Sequence, residues 1–219
     1  MRPVRLAGRA LTPRPGPGWP RPAQRGKLGS MSDTAAAPTV RPAAADPACD
    51  VAHGRADVPA STRTLVAVFA SPVARFLLGY AGDAGYRPVL LEPDAGHVGG
   101  PGAAGGPAPD GLTTVASLAG LADEATDVVV CDHHRPELGP MLREALASPA
   151  RWVGVLGNPQ HPAPHIPALA ALGVPDDEIA RVHRPIGLNI GSRTPAEIAL
   201  ATMAGLIADR NGRPGGFHF

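Results

Sequence analysis

The chain has 219 residues, 20 of them basic and 19 acidic, for a formal net charge of +1. That length allows one ordinary domain with a tail, and a hydrophobic content of 44% suffices for a core. No apolar run is long enough to cross a membrane or to serve as a secretory signal, which sets those classes aside.

The net charge averages two unlike parts. Residues 1–30 carry Arg2, Arg5, Arg9, Arg14, Arg21, Arg25 and Lys27 and no acid. The remaining 189 residues hold 13 basic and 19 acidic side chains, a net of −6. An acidic body argues against nucleic acid as the main partner. Met31-Ser-Asp-Thr34 reads as a natural start, so residues 1–30 are expected to be an over-extended beginning. A disordered extension is the alternative. Cys49 and Cys131 lie far apart in unlike surroundings, and no Cys-x-x-Cys spacing exists. Cys131 reads as a small buried hydrophobe.

Residues 1–60 are rich in Pro, Ala, Gly and Arg and lack periodicity. They bury little apolar surface per residue and are expected to be disordered. Order begins at Thr64-Leu-Val-Ala-Val-Phe-Ala70, apolar on both faces like a strand covered on each side. Ser71 then caps a helix with Pro72 in its first turn. Val73, Phe76, Leu77 and Tyr80 recur at helical spacing as far as Gly82 or Gly85. Arg87-Pro-Val-Leu-Leu91 completes a strand–helix–strand unit.

Residues 95–111 are glycine-rich and read as a long loop. Residues 113–121 suit either a short strand or a helical turn. Thr126-Asp-Val-Val-Val-Cys131 is the third clear strand, and 136–146 a helix. Arg151-Trp-Val-Gly-Val-Leu156 is the fourth clear strand. Three prolines between 162 and 167 leave only 167–172 as a secure helix. Asp176-Asp-Glu-Ile179 opens a short helix with acids at its positive end. The final helix runs over 195–209, with Thr194 and Glu197 forming a capping box around Pro195. Strands alternating with helices predict a Rossmann-like, three-layer α/β domain over 61–212, built on a mostly parallel sheet. Residues 213–219 are expected to be a flexible end.

Ligands in such folds sit outside the carboxyl ends of the strands. The first crossover, Phe69-Ala-Ser-Pro-Val-Ala-Arg75, holds no glycine, which argues against a conventional NAD(P) loop. Ser71, the helix start and Arg75 could still meet one phosphate, or form a plain capped helix. Glu92 and Asp94 end the second strand, where a carboxylate can take ribose hydroxyls or simply shape a turn. Asp132, His133 and His134 follow the third clear strand. A hydrogen bond from His133 to a ligand is one reading, and plain loop residues the other. A metal would need further ligands among His97, His161, His165 and His183, and no spacing fits a standard site. Gly157 and Asn158 end the fourth clear strand. Gly187-Leu-Asn-Ile-Gly-Ser-Arg-Thr-Pro195 surrounds a helix start suited to an anion, through Gly191, Ser192, Arg193 and Thr194. The capping box competes for the same amides.

This last stretch carries a family resemblance. Ile186-Gly-Leu-Asn-Ile-Gly-Ser-Arg-Thr-Pro-Ala-Glu-Ile-Ala199 resembles the signature of the C-terminal Rossmann domain of the XdhC/CoxI family. Trp152-Val-Gly-Val-Leu-Gly157 and Cys131-Asp-His133 are similar to further segments of it. The family pattern has Asp at Asn189, Ala at Ser192, and Ser-Arg-Arg where this chain has Asn158-Pro-Gln160.

The resemblance implies an accessory protein for molybdenum hydroxylases such as xanthine dehydrogenase. It implies binding of the molybdenum cofactor (molybdopterin), support of its sulfuration, and delivery to the apoenzyme. Carried over residue by residue, it points to His133, Gly157, Gly187, Asn189, Gly191, Arg193 and Thr194. It implies a cytoplasmic chaperone with a molybdenum hydroxylase apoenzyme and a sulfur donor as partners, and a homodimer. No turnover on the chain itself is required. The alternatives are an NAD(P)-dependent oxidoreductase and a non-catalytic paralogue that has lost its ligand.

Overall fold

A computed structural model describes residues 47–57, 62–98, 109–158 and 160–215. Residues 1–30, most of the expected tail, the centre of the glycine-rich loop and the last four residues lie outside the described residues. The chain divides into two units, Met1–Arg55 and Ala56–Phe219. In the first, the described residues include a helix where none was expected, α1 (Pro47–Ala52). It carries Asp50 in its first turn, and Arg55 Nε closes back on that carboxylate at 2.8 Å. These contacts are local and polar, so apolar periodicity gives no sign of them.

The second unit is a five-stranded sheet. Its strands are β1 (Thr64–Val68), β2 (Arg87–Leu91), β3 (Thr113–Val115), β4 (Thr126–Val130) and β5 (Trp152–Val155). Their order is β3-β2-β1-β4-β5, with every pairing parallel. Val66 sits between Val89 and Val128, so the centres of three apolar strands lie side by side. This is the Rossmann order with its reversal point between β1 and β4. The ambiguous stretch after 112 is settled as a short edge strand by pairing Thr113 with Val89.

Alternation along each strand sends side chains to two separate cores. Val66, Val68, Val128 and Val130 face α3 (Leu138–Ala147), α4 (His165–Ala170) and α5 (Asp176–Ile179). Leu65, Ala67, Leu90 and Val129 face α2 (Pro72–Asp83) and α6 (Pro195–Arg210). Both faces are covered, which is why β1 and β4 read as unbroken apolar runs.

Local chemistry sets the helix ends. Ser71 accepts from the Ala74 amide at 3.1 Å and starts α2. Thr194 and Glu197 close a reciprocal capping box on α6. Several boundaries depart from expectation by one or two residues: α3 begins at Leu138 rather than 136, and α4 is displaced at both ends. α4 begins at His165, not 167: Pro164 precedes its first residue without a side-chain cap, and Pro167 falls in its first turn. Amides of a first turn have no intrahelical acceptor, so proline costs little there.

After α5 the chain returns along the outer edge of β5. The His183 amide donates to Val153 O at 3.0 Å, and Val155 donates to His183 O at 3.0 Å. Trp152 stacks on His183 with ring centroids 4.9 Å apart and folds over Gly154. A Cβ on Gly154 would lie 2.2 Å from that indole. This isolated parallel bridge between His183 and Gly154 delivers residues 184–192 to the carboxyl edge of the sheet.

Candidate functional site

A cleft of about 590 Å³ opens at that edge. The end of β4 contributes Cys131 and His133, and the end of β5 contributes Leu156, Gly157 and Asn158. Residues 185–192 form one wall, and Ile198, Ala201 and Thr202 of α6 lie behind them. Val73 in the first turn of α2 closes the side. Pockets of this size, apolar with a few polar groups, are typical small-molecule sites.

Glycine builds the wall against α6. Gly187 has φ +86, in the left-handed region, and its missing Cβ would lie 3.0 Å from Thr202 N and 3.1 Å from Ala201 C. A Cβ on Gly205 would meet Gly187 Cα at 3.0 Å. The two glycines therefore let loop and helix backbones touch, and the Leu188 amide donates to Ala201 O at 3.0 Å. Gly191 has φ +71 with open space around it, so its need for glycine is conformational only.

Arg184 clamps the turn that follows β5. Its Nη2 donates to Asn158 O at 2.9 Å, Pro162 O at 3.1 Å and His161 O at 3.3 Å. A Cβ on Gly157 would lie 2.7 Å from Arg184 Nε, so that glycine makes room for the guanidinium. Neither Arg184 nor Gly205 was singled out from the sequence. Their partners are more than twelve residues away, and no local pattern announces them.

The cleft's titratable groups are neutral in character. Burial, then the charge of neighbouring His134, holds His133 below its ordinary value. The two imidazoles lie 4.1 Å apart. Burial pushes the Cys131 thiol far upward, so it lines the wall as an unreactive SH.

The structure thus gathers His133, Gly157, Asn158, Gly187, Asn189, Gly191 and Ser192 around one cleft. The other candidates have different surroundings. Ser71 is occupied as the α2 cap, and Arg75 stacks over Phe76 at 4.7 Å. Asp132 accepts from the His134 amide at 2.9 Å and shapes that turn. Asp94 likewise takes Gly96 N at 2.9 Å. Glu92 is buried, and both of its oxygens already have donors in Ala70, Asp94 and Arg135. At the start of α6 the Glu197 carboxylate takes the amides of Arg193 at 2.7 Å and Thr194 at 3.1 Å. Those bonds lower the Glu197 pKa, and the carboxylate itself is the anion at that helix end. The Arg193 side chain is exposed and makes no hydrogen bond among the described residues. Among those residues no cluster of three or more metal-binding side chains exists. No helix among them is long and apolar enough to cross a membrane.

Comparison with known proteins gives three findings. An uncharacterized protein of Escherichia coli K12, YqeB, is 36% identical over 75 residues, which is 34% of this chain and 14% of YqeB. A Bacillus halodurans crystal structure described as a xanthine dehydrogenase superposes with a TM-score of 0.52 at 22% identity. That match covers 69% of this chain and 43% of the other, and speaks for the fold alone. The chain thus spans less than half the length of either protein. The family profile described as the XdhC Rossmann domain matches residues 65–206, from the start of β1 to near the end of α6, and the chain belongs to that family.

Proposed function

We propose that this chain is a cofactor-holding domain of an XdhC-type accessory protein, serving the maturation of a xanthine dehydrogenase-type molybdenum hydroxylase. The observation that carries the reading is the cleft itself: the family's Gly187–Gly191 segment forms its wall, pinned to α6 by the Gly187–Gly205 contact. The ligand would be molybdopterin. The residues present fit it, since apolar Leu156, Ile186 and Ile198 suit a flat heterocycle and Asn158, Asn189 and Ser192 suit its polar edges. When bound, the group supplies the dithiolene that carries molybdenum. Neutral His133 would offer a hydrogen bond without adding charge, and Arg193 would attract the phosphate from outside the cleft.

The high pKa of the Cys131 thiol suits a holding role and leaves sulfur transfer to a separate donor. In this reading the chain works in the cytoplasm beside the apoenzyme, that sulfur donor and, as a homodimer, a second copy of itself. Equilibrium dialysis with molybdopterin tests it. Saturable binding at roughly micromolar Kd is expected. His133→Ala and Asn189→Ala should each weaken it about two- to tenfold, the worth of one net hydrogen bond. Absence of saturable binding, both alone and with the hydroxylase, refutes the reading.

A further inference from the structure

The strand order places the carboxyl end of β1 between those of β2 and β4. In a sheet of this order a dinucleotide runs across that edge, with one half by β2 and the other beyond β4. Here the two halves differ. The half beyond β4 is the cleft described above. The half by β2 is spanned by an internal ion pair.

Arg135 leaves the turn after β4 and reaches Glu92 at the end of β2. Nη2 donates to Oε1 at 3.0 Å, and Nη1 donates to Oε2 at 3.4 Å. The intervening strand is β1, and the guanidinium crosses it 4.8 Å from the centroid of the Phe69 ring. The Glu92 side chain is fully buried and that of Arg135 is 12% exposed. Glu92 also accepts from the Ala70 amide at 2.8 Å and the Asp94 amide at 3.2 Å. The amide that follows β1, where a phosphate loop begins, is therefore engaged with a carboxylate. Phe69 itself has φ +72, a backbone that glycine adopts at lower cost, and its ring is fully buried.

We infer that the Glu92–Arg135 bridge is a specificity device: it closes the adenosine half of the sheet edge and restricts the cleft to one phosphorylated heterocycle, excluding ligands that carry a second nucleotide. A second nucleotide would have to separate a buried bidentate pair, leaving Arg135 only the Glu137 carboxylate at 3.3 Å and Glu92 only its two backbone amides. A neutral ribose hydroxyl does not return what that separation costs. The nature of the heterocycle rests on the proposed function, whereas the closure rests on the bridge alone.

The test titrates the full chain with ADP, with NADH, and with molybdopterin carrying or lacking an attached nucleotide. ADP and NADH should show no saturation up to about 1 mM, and the attached nucleotide should leave molybdopterin affinity unchanged or weaken it. NADH or ADP saturating at micromolar concentration overturns the inference. So does an attached nucleotide that tightens binding by about tenfold. If molybdopterin fails to bind in any form, the proposed function falls, and the ADP and NADH titrations still decide the closure. The double variant Glu92→Gln with Arg135→Met removes both charges at similar volume. Arg135→Gln, which leaves Glu92 its backbone donors, is the second variant should the first not fold. In the folded variant ADP should bind at least about tenfold more tightly than in the parent. Unchanged ADP affinity overturns the role of the bridge.

Discussion

Gly187→Ala is the sharpest test of how the cleft wall is built. The new methyl would lie 3.0 Å from Thr202 N, 3.1 Å from Ala201 C and 3.2 Å from Ala201 O, all backbone atoms of α6. Helix backbone yields less readily than a flexible side chain. Forcing an L-residue into the left-handed region costs about 1–2 kcal/mol. Overpacking adds about 1–3 kcal/mol. The loss should therefore be about 2–5 kcal/mol, enough to lower Tm by roughly 5–15 °C in a domain of this size. Gly191→Ala is the internal control. It has the same sign of φ but nothing within 4 Å, so only the conformational cost of about 1–2 kcal/mol applies. Urea and thermal denaturation of both variants give the comparison. If Gly187→Ala melts no lower than Gly191→Ala, the loop does not rest on the helix as described.

Three further outcomes follow from the same geometry. Arg184→Ala removes donors to three carbonyls, and the loss should be about 2 kcal/mol, with faster amide exchange over 160–163; unchanged exchange would contradict the clamp. At α6, Thr194→Ala should cost about 1 kcal/mol, while Arg193→Ala should stay within about 0.5 kcal/mol yet weaken anion binding. Equal anion affinity for Arg193→Ala and the parent would remove that arginine from the site. Burial, with the Arg184 charge behind it, holds His165 below its ordinary 6.5. The unfolded chain therefore binds protons first on acidification. This contribution to stability is full above about 6.5 and is lost as pH falls from there through the lowered folded-state value. Denaturation midpoints measured from pH 7.5 to 5 should fall, and His165→Leu should flatten that slope. An unaltered slope in the variant would show that His165 is not its source.

Much of the frame was legible because its causes are local. The apolar runs at Thr64–Val68 and Thr126–Val130 read as doubly covered strands, and the sheet covers them on both faces. Ser71 and Thr194 read as caps and act as caps. In the first crossover, which holds no glycine, Phe69, Ala70 and Ser71 are all committed internally. The candidate site was legible only in part. Gly187, Asn189, Gly191 and Ser192 are neighbours in sequence, and the loop that holds them is one wall of the cleft. Glu92 ended the expected strand but turns inward, because Arg135, 43 residues away, offers a charged partner over a buried ring. Glu197 and the helix end it fills were visible as a cap. That the same carboxylate also takes the Arg193 amide became evident only in the distances.

The sequence by itself determined four of the five strands described, the starts of α2 and α6, the α/β class and the glycine segment, since these depend on apolar period, capping and φ within a few residues. The tertiary structure alone decided which groups meet at the sheet edge. Parallel crossovers bring the ends of β2, β1 and β4 together from residues 69, 92 and 135. That meeting sets one half of the edge as a cleft and the other as a closed ion pair, and no periodicity in the chain records it.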